Sequence, residues 1–380
     1  MPLSIADVTA AVSAVAEPTT AKPLAELGAV TDISLDGTNV RLTVELPKAS
    51  GTADASHRAE LGALIRAAAM KLEGVTGVEI RWKGDVASRP ITADDPVPEA
   101  KNVVLVMSGK GGVGKSTVAT NLTMALSRAG FRVGLLDADI YGPSIPTMFG
   151  VAGRPVSADG KTIEPLERFG VKLMSIGFLL EDPRAAVVWR GPMLHGALLQ
   201  FLKDVHWGAL DYLILDLPPG TGDVALTLSQ RVKSTGAVIV TTPQQVATDD
   251  VYKSVSMCEK VSIPILGVVE NMSYFIDTAG VRHELFGKGG GAAVAEFAKA
   301  PLLGQVPIDA TVREWGDKGS PVVQAAPFSP IARSFVEIAE RLVDIIDARR
   351  EAGVEAAEDV GPVIDRSGGT GGKKRLPMAK

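Results

Sequence analysis

Residues 108–117 read SGKGGVGKST, and the spacing from Gly109 to Ser116 is G-x-x-x-x-G-K-[ST], a loop suited to holding phosphate. Its glycines, Gly109, Gly111, Gly112 and Gly114, let backbone N–H groups converge on one anion at a helix N-terminus, with Lys110, Val113 and Thr117 completing the main-chain cradle. Lys115 is placed to reach the β and γ phosphates of a nucleotide, and the Ser116 hydroxyl to bind magnesium. The context agrees. An apolar run, VVLVM, precedes the loop, and Val118, Leu122, Ala125, Leu126 and Ala129 after it form one helical face that ends at Gly130. The loop carries one lysine more than a phosphate cradle needs. Lys110 lies beside the first glycine, where its side chain need not fold over its own nucleotide, and its plain reading is a solvated surface charge.

Carboxylates at strand ends supply the rest of the chemistry. In VGLLDAD, Asp137 and Asp139 are two apart and so share a face at the carboxyl end of a strand, where doubly wound sheets place ligands. In YLILDLPPGTGD, Asp216 ends another apolar run, and Gly220 and Gly222 follow in a loop soft enough to respond to a γ phosphate. A single Asp after a strand is more often a turn residue. Three of them sharing a sheet with a phosphate loop favour metal binding and catalysis, with Ser116, Asp139 and Asp216 as the candidate metal-facing groups. Asn271 closes the strand-like ILGVVEN.

The elements that must hold these residues follow from periodicity. VVLVM, VGLLDAD, YLILDLP, AVIVTTP and ILGVVENM are short, nearly continuous apolar runs, as in strands buried on both faces of a parallel sheet. Alternating with helical segments, they predict a doubly wound, mostly parallel α/β domain over residues 101–350, ended by an amphipathic helix with Ile331, Phe335, Ile338, Leu342 and Ile345 on one stripe. Ahead of it, residues 1–83 predict a small α+β domain. There, AVTDISL and NVRLTVEL flank a hairpin turn at Asp36-Gly37, a helix covers about 57–73, and GVEIRW forms a third strand. Residues 84–100, rich in Pro and Asp, read as a linker, and 351–380 as a disordered tail.

Composition narrows the function classes. The chain has 380 residues, 46% hydrophobic and 22% charged, with a formal net charge of -5. This argues against a general nucleic-acid binder. No run reaches the ~18–20 apolar residues of a membrane span, the N-terminal stretch fails as a signal peptide, and the polar face of the last helix is mixed in charge, so no stable membrane anchor is expected. The single cysteine, Cys258, precludes an intramolecular disulfide and fits a reducing cytoplasm.

The wording GKGGVGKST resembles the deviant Walker A loop of MinD, ParA, the arsenite-pump ATPases and the nitrogenase iron protein. The stretches DADIYGPSIPTMFG, WRGPMLHGALLQFL, DYLILDLPPGTGDVALTLSQ, TTPQQVATDD, ENMSYF and FGKGGG, spread over roughly residues 100–345, resemble the Mrp/ApbC family of iron–sulfur cluster carrier ATPases. The N-terminal unit looks like the small iron–sulfur assembly domain often fused ahead of such an ATPase. The resemblance implies a P-loop ATPase that binds ATP and Mg2+ and closes as a homodimer, accepting a cluster on a scaffold and handing it to apoprotein clients. It also implies that Lys110 reaches the partner's phosphates in trans, Asp139 orients the attacking water, Asp216 holds magnesium through water, and Asn271 pairs with the adenine edge. Arg190 in WRGPM lines the dimer groove or is a surface charge, and the run Gly287–Gly291 with Lys288 covers the nucleotide or ends a turn.

The chain departs from the family pattern at the cargo. Where the family places C-x-x-C after NMSYF, so that two subunits give four thiolates to one cluster, this chain reads FIDTAGVRHELFG. LPKASGTADASHRAE in the small domain also lacks cysteine, Cys258 lies on an apolar helical face, and Asp277, His283 and Glu284 are the remaining candidate ligands. Two other classes therefore stand beside the carrier. One is a MinD/ParA-like dimerisation switch acting through a partner or surface. The other is an electron-donating reductase, which needs the same missing cluster.

Overall fold

The computed structural model describes residues 3–45, 55–83, 86, 88–139, 142–157, 159–179, 191–220 and 223–352. The small-domain loop 46–54, Arg190, Gly222 and the tail beyond 352 lie outside these residues.

The N-terminal unit contains α1 (Ile5–Ser13), α2 (Leu24–Leu27), β1 (Val30–Asp36), β2 (Asn39–Glu45), α3 (Ala55–Ala69) and β3 (Gly77–Lys83). The turn between β1 and β2 runs through Gly37 at φ 62, and Asp36 pairs with Asn39 across it. Strand β3 joins β2 in parallel, and the three strands pack against α1 and α3 through Val8, Val12, Leu42, Leu61 and Ile65.

The second unit runs β4 (Ala100–Ser108), α4 (Lys115–Arg128), β5 (Val133–Asp137), α5 (Ile145–Phe149), β6 (Leu166–Arg168), β7 (Val171–Ser175), α6 (Gly191–Lys203), β8 (Leu210–Asp216), α7 (Asp223–Arg231), β9 (Gly236–Thr241), α8 (Gln245–Lys260) and β10 (Ile265–Glu270). It continues with β11 (Phe275–Ile276), β12 (Arg282–His283), α9 (Gly290–Phe297), β13 (Leu302–Gln305), α10 (Ala310–Asp317), α11 (Val322–Ala325) and α12 (Pro330–Glu351). Its sheet has the order β13-β10-β9-β4-β8-β5-β7-β6, parallel throughout except for the edge strand β6. Both faces are covered. Along β4, Val104 and Val106 join the apolar layer under α4 and α12, while Val103, Leu105 and Met107 join the layer under α6, α7 and α8, so the strand's alternation feeds two cores. Because β4 is central, between β9 and β8, the phosphate loop leaves the sheet at its middle, and the carboxyl ends of β8 and β5 lie beside it.

The segment read as a linker contains a buried ion pair. Arg89 forms a two-pronged pair with Asp95, both side chains 1% exposed, and its guanidinium also donates to the carbonyls of Val97 and Lys233. Replacing one member leaves the other charge buried and uncompensated, a loss of about 3–5 kcal/mol. Arg89→Met is therefore expected to lower the urea midpoint sharply, and Arg89→Met/Asp95→Leu to recover most of it. A single variant as stable as the parent would show that the pair does not anchor this segment. Among the described residues, no helix is long and apolar enough to cross a membrane.

Candidate nucleotide-binding site

The phosphate loop turns tightly because Gly112 and Gly114 adopt φ +83 and +80, a region that side-chain-bearing residues rarely enter. Two of its glycines are also pressed against neighbours. A Cβ on Gly109 would lie 2.4 Å from the backbone of Asp250 and Val251 in α8, and one on Gly114 would lie 2.2 Å from Asn271 Nδ2. At Gly111 and Gly112 a Cβ would meet nothing within 4 Å, so this part of the loop borders open space. Gly114 caps α4, whose first turn brings Lys115 and Ser116 under that opening. A loop of converging N–H groups at a helix N-terminus is an anion site.

Lys115 is 6% exposed, and its ammonium donates to Asp216 Oδ1 at 2.5 Å while standing 3.9 Å from Asp139 Oδ2. Strand register explains the grouping, since Asp137 and Asp216 are direct partners on neighbouring parallel strands. Asp137, fully buried, accepts from Ser175 Oγ at 3.0 Å and from the backbone N–H groups of Asp139 at 3.1 Å and Ile145 at 3.2 Å. It thereby ties down both ends of the segment that carries Asp139. Burial, reinforced by the neighbouring Asp216 charge, pushes the Asp137 carboxyl up to about 8. Asp216 is raised too, by burial, against the pull of Lys115.

This donor set fits a magnesium–triphosphate. Asp216 Oδ2 is buried with no partner at hydrogen-bond distance, and the Ser116 hydroxyl stands beside the Lys115 ammonium at 3.4 Å. Mg2+ keeps most of its waters and takes one or two protein oxygens plus substrate phosphates, so nothing more is required. Lys110 is half-buried, and its side chain makes no hydrogen bond or ion pair among the described residues. Thr117 and Val113 complete the loop, Val113 buried and Thr117 half-buried.

Asn271 is brought onto the loop itself, its Nδ2 donating to the Val113 carbonyl at 2.8 Å. The next residue, Met272, takes the left-handed φ of 53. Sequence reasoning passed over its neighbour Glu270, a fully buried carboxylate that accepts from Ser273 Oγ at 2.5 Å, Gln305 Nε2 at 2.7 Å and the Gly291 N–H at 2.5 Å. The glycine run is explained by the same packing. A Cβ on Gly290 would fall 2.6 Å from the Pro243 carbonyl, and one on Gly291 2.6 Å from Glu270 Cβ, so these glycines let α9 dock on the ends of β9 and β10. The only signal in the chain was a charged residue ending an apolar strand, followed about twenty residues on by a glycine cluster.

The β11–β12 hairpin follows the NMSY segment and carries Asp277 and His283, with Glu284 just after it. Asp277 Oδ1 accepts from the N–H groups of Ala279 and Val281, both at 2.9 Å, and Oδ2 pairs with His283 Nε2 at 2.7 Å. The His283 hydrogen bond, helped by the Val281 N–H, draws the Asp277 carboxyl below its usual range. Glu284 pairs with Arg282, whose guanidinium lies 3.8 Å over the Tyr274 ring. These side chains bind one another and brace the turn. Cys258 is fully buried on α8 against Met107, and burial raises its thiol to about 12, so it stays protonated and inert. Among the described residues, no group of three or more His, Cys, Asp or Glu is arranged to hold a metal ion.

Comparison with known proteins agrees with this geometry. Residues 99–343 match the family described as NUBPL iron-transfer P-loop NTPase, and residues 5–80 the family described as iron–sulfur cluster assembly protein. An iron–sulfur cluster carrier protein of Aquifex aeolicus is 52% identical over 266 residues, 69% of this chain and 72% of the relative. One from Deinococcus radiodurans is 45% identical over 342 residues, 89% of this chain and 95% of the relative. A nucleotide-binding protein from Archaeoglobus fulgidus, solved in complex with ADP and with cobalt found in it, superposes with a TM-score of 0.55 at 39% identity, over 65% of this chain and 98% of that one. The Mrp/ApbC resemblance and the doubly wound P-loop fold expected from the sequence are thus borne out. With a P-loop at the head of α4, the carboxylates of β5 and β8 beneath it and a family match over more than half its length, the chain belongs to the iron-transfer P-loop NTPase family.

Proposed function

We propose that this protein is an ATP-hydrolysing carrier of iron–sulfur clusters, working as a homodimer in the cytoplasm, taking clusters from a scaffold and passing them to apoproteins. The observation that carries the reading is the grouping of buried Lys115, Asp216 and Asp137 with half-buried Asp139 under a phosphate loop, in a chain 45% identical to a cluster carrier over 95% of that relative's length.

In this reading Lys115 leaves Asp216 when the triphosphate enters the loop, exchanging one anion for another, and its ammonium then lies against the β and γ oxygens. That exchange frees Asp216, and with the Ser116 hydroxyl it would hold a magnesium ion. A magnesium ion held there would supply positive charge against the charge that develops on the phosphate. Asp139, held by its backbone N–H to Asp137, orients the attacking water, and Lys110 completes the neighbouring subunit's site. Asn271 couples the base to the loop through its amide. Positioning and charge perform this catalysis, as phosphoryl transfer requires.

The cargo is held without cysteine from the hairpin, whose Asp277 and Gly280 form a closed turn, and without Cys258. Ligands then come from the scaffold or client during transfer. The cysteine-free hairpin favours one other reading, an ATP-dependent dimerisation switch acting through a partner or surface. Anaerobic purification with iron and acid-labile sulfide assayed per dimer, before and after loading from a scaffold, separates the two. Iron and sulfide that move on to an apoprotein support the carrier. Dimers that form with ATP yet never hold either element support the switch.

A further inference from the structure

The small N-terminal unit grips the far end of the phosphate-loop helix. Helix α4 starts at Lys115, and its 14 residues span about 21 Å before ending at Arg128. Its last carbonyls need partners, as in any helix. Those of Ala125, Leu126 and Ser127 accept from Ala129, Phe131 and Gly130, and β3 of the small unit serves the two that follow. Arg81 Nε donates to the Arg128 carbonyl at 3.0 Å, and the Trp82 N–H to the Ala129 carbonyl at 3.1 Å. The Arg128 side chain reaches back to Glu79 at 2.6 Å, and Glu79 also holds Arg41 at 3.0 Å. At Gly130, a Cβ would lie 3.6 Å from Arg81 Cβ and from the Trp82 carbonyl, ordinary contact distances, but the φ of +94 is one that side-chain-bearing residues rarely adopt.

Elsewhere α3 of the small unit packs along α12. Arg66 of α3 pairs with Glu340 of α12, and Gly77 abuts Phe328. Between this contact and the α4 cap lies a cavity of about 520 Å³, bordered by Gly62, Met70, Trp82, Leu126, Phe328 and Val336. The void leaves part of the contact unpacked, and contacts between units of one chain open more readily than a continuous core.

We infer that docking of the small unit and binding of nucleotide are reciprocally coupled through α4. The anion enters at the helix N-terminus and the Arg81 guanidinium sits at its C-terminus, so both ligands of the helix dipole favour the same arrangement. By linkage, whatever docking adds to nucleotide affinity, nucleotide must add to docking. The inference rests on the phosphate-site reading but assigns the small unit a task in it.

The test uses the full chain with a nonhydrolysable ATP analogue and Mg2+. Arg66→Ala/Arg81→Ala loosens the small unit without altering the phosphate loop, and slow exchange at the Val40, Leu42 and Val44 amides verifies that the unit stays folded. Analogue affinity is expected to fall about fivefold or more in the variant, and analogue to slow Trp82 amide exchange in the parent by a similar factor. Should alanine leave Trp82 exchange unchanged, Arg81→Glu, which sets a carboxylate against the α4 carbonyls, repeats the measurement. The coupling is overturned if Trp82 exchange in the parent is the same with and without analogue, or if a variant with accelerated Trp82 exchange binds within about twofold of the parent. A parent that binds no analogue removes the phosphate-site reading itself, an outcome separate from either of these.

Discussion

Lys115→Ala is expected to lower ATP affinity by on the order of 100-fold or more, because a desolvated ammonium between two phosphates has no substitute in the loop. The same change alters the balance of buried charge. Lys115 is the cation that offsets Asp216 and Asp137, two fully buried carboxyls in direct register. Removing it breaks a buried pair, at about 3–5 kcal/mol, unless the carboxyls take up protons. The pH dependence therefore has a definite sign. Burial raises Asp137 to about 8 and raises Asp216 as well, so the folded chain holds protons that the unfolded chain releases above about 4. Stability from these groups is complete below that lower value and is lost as pH climbs through the folded values. The thermal midpoint should drop between pH 5.5 and pH 8 in the parent, and drop further in Lys115→Ala. A variant whose midpoint falls no more steeply than the parent's would mean that Lys115 does not offset the pair, and unchanged ATP binding would remove it from the phosphate site.

What the chain discloses on reading is its local order. The runs VVLVM and YLILDLP became the neighbouring parallel strands β4 and β8, and the stripe from Ile331 to Leu342 became the buried face of α12, since periodicity records which faces meet the core. The phosphate loop was legible for a similar reason, as its geometry depends on residues contiguous in sequence. Long-range neighbours were not. Nothing in VGLLDAD or YLILDLP says that Asp137 and Asp216 share a register, and a shift of one residue would have placed them on opposite faces. Nor does composition reveal that Arg89 and Asp95, in a Pro- and Asp-rich stretch, bury each other. The glycine run, read as covering the nucleotide or ending a turn, also lets α9 dock tightly on Pro243 and Glu270, a contact between distant segments that the run itself does not record. Most telling is Lys115, read as a phosphate ligand and found donating to Asp216, a pairing set by the register of β4 and β8 that no local motif records.

Lys110→Ala separates binding from turnover. Its side chain has no hydrogen bond or ion pair among the described residues, so truncation removes nothing that holds the loop, and ATP affinity should stay within about threefold. Under the proposed trans role the loss falls elsewhere. A cation delivered across a subunit boundary to a transferring phosphoryl group is worth on the order of 10³ or more in rate. Hydrolysis should fall by about that factor, and the dimer that the parent forms with nonhydrolysable analogue should be missing from light scattering. Reciprocity adds a sharper check. If Lys110 acts only in the partner's site, mixing Lys110→Ala with Lys115→Ala joins a subunit that binds ATP but donates no lysine to one that donates but binds poorly. The mixed dimer then holds one complete site, formed by the Lys110→Ala subunit's loop and its partner's Lys110. Activity returning on mixing, towards half the parent's per dimer formed, is the expected result. Parent-rate hydrolysis by Lys110→Ala alone, or a mixture no more active than its parts despite dimer formation, would leave the second lysine a surface charge.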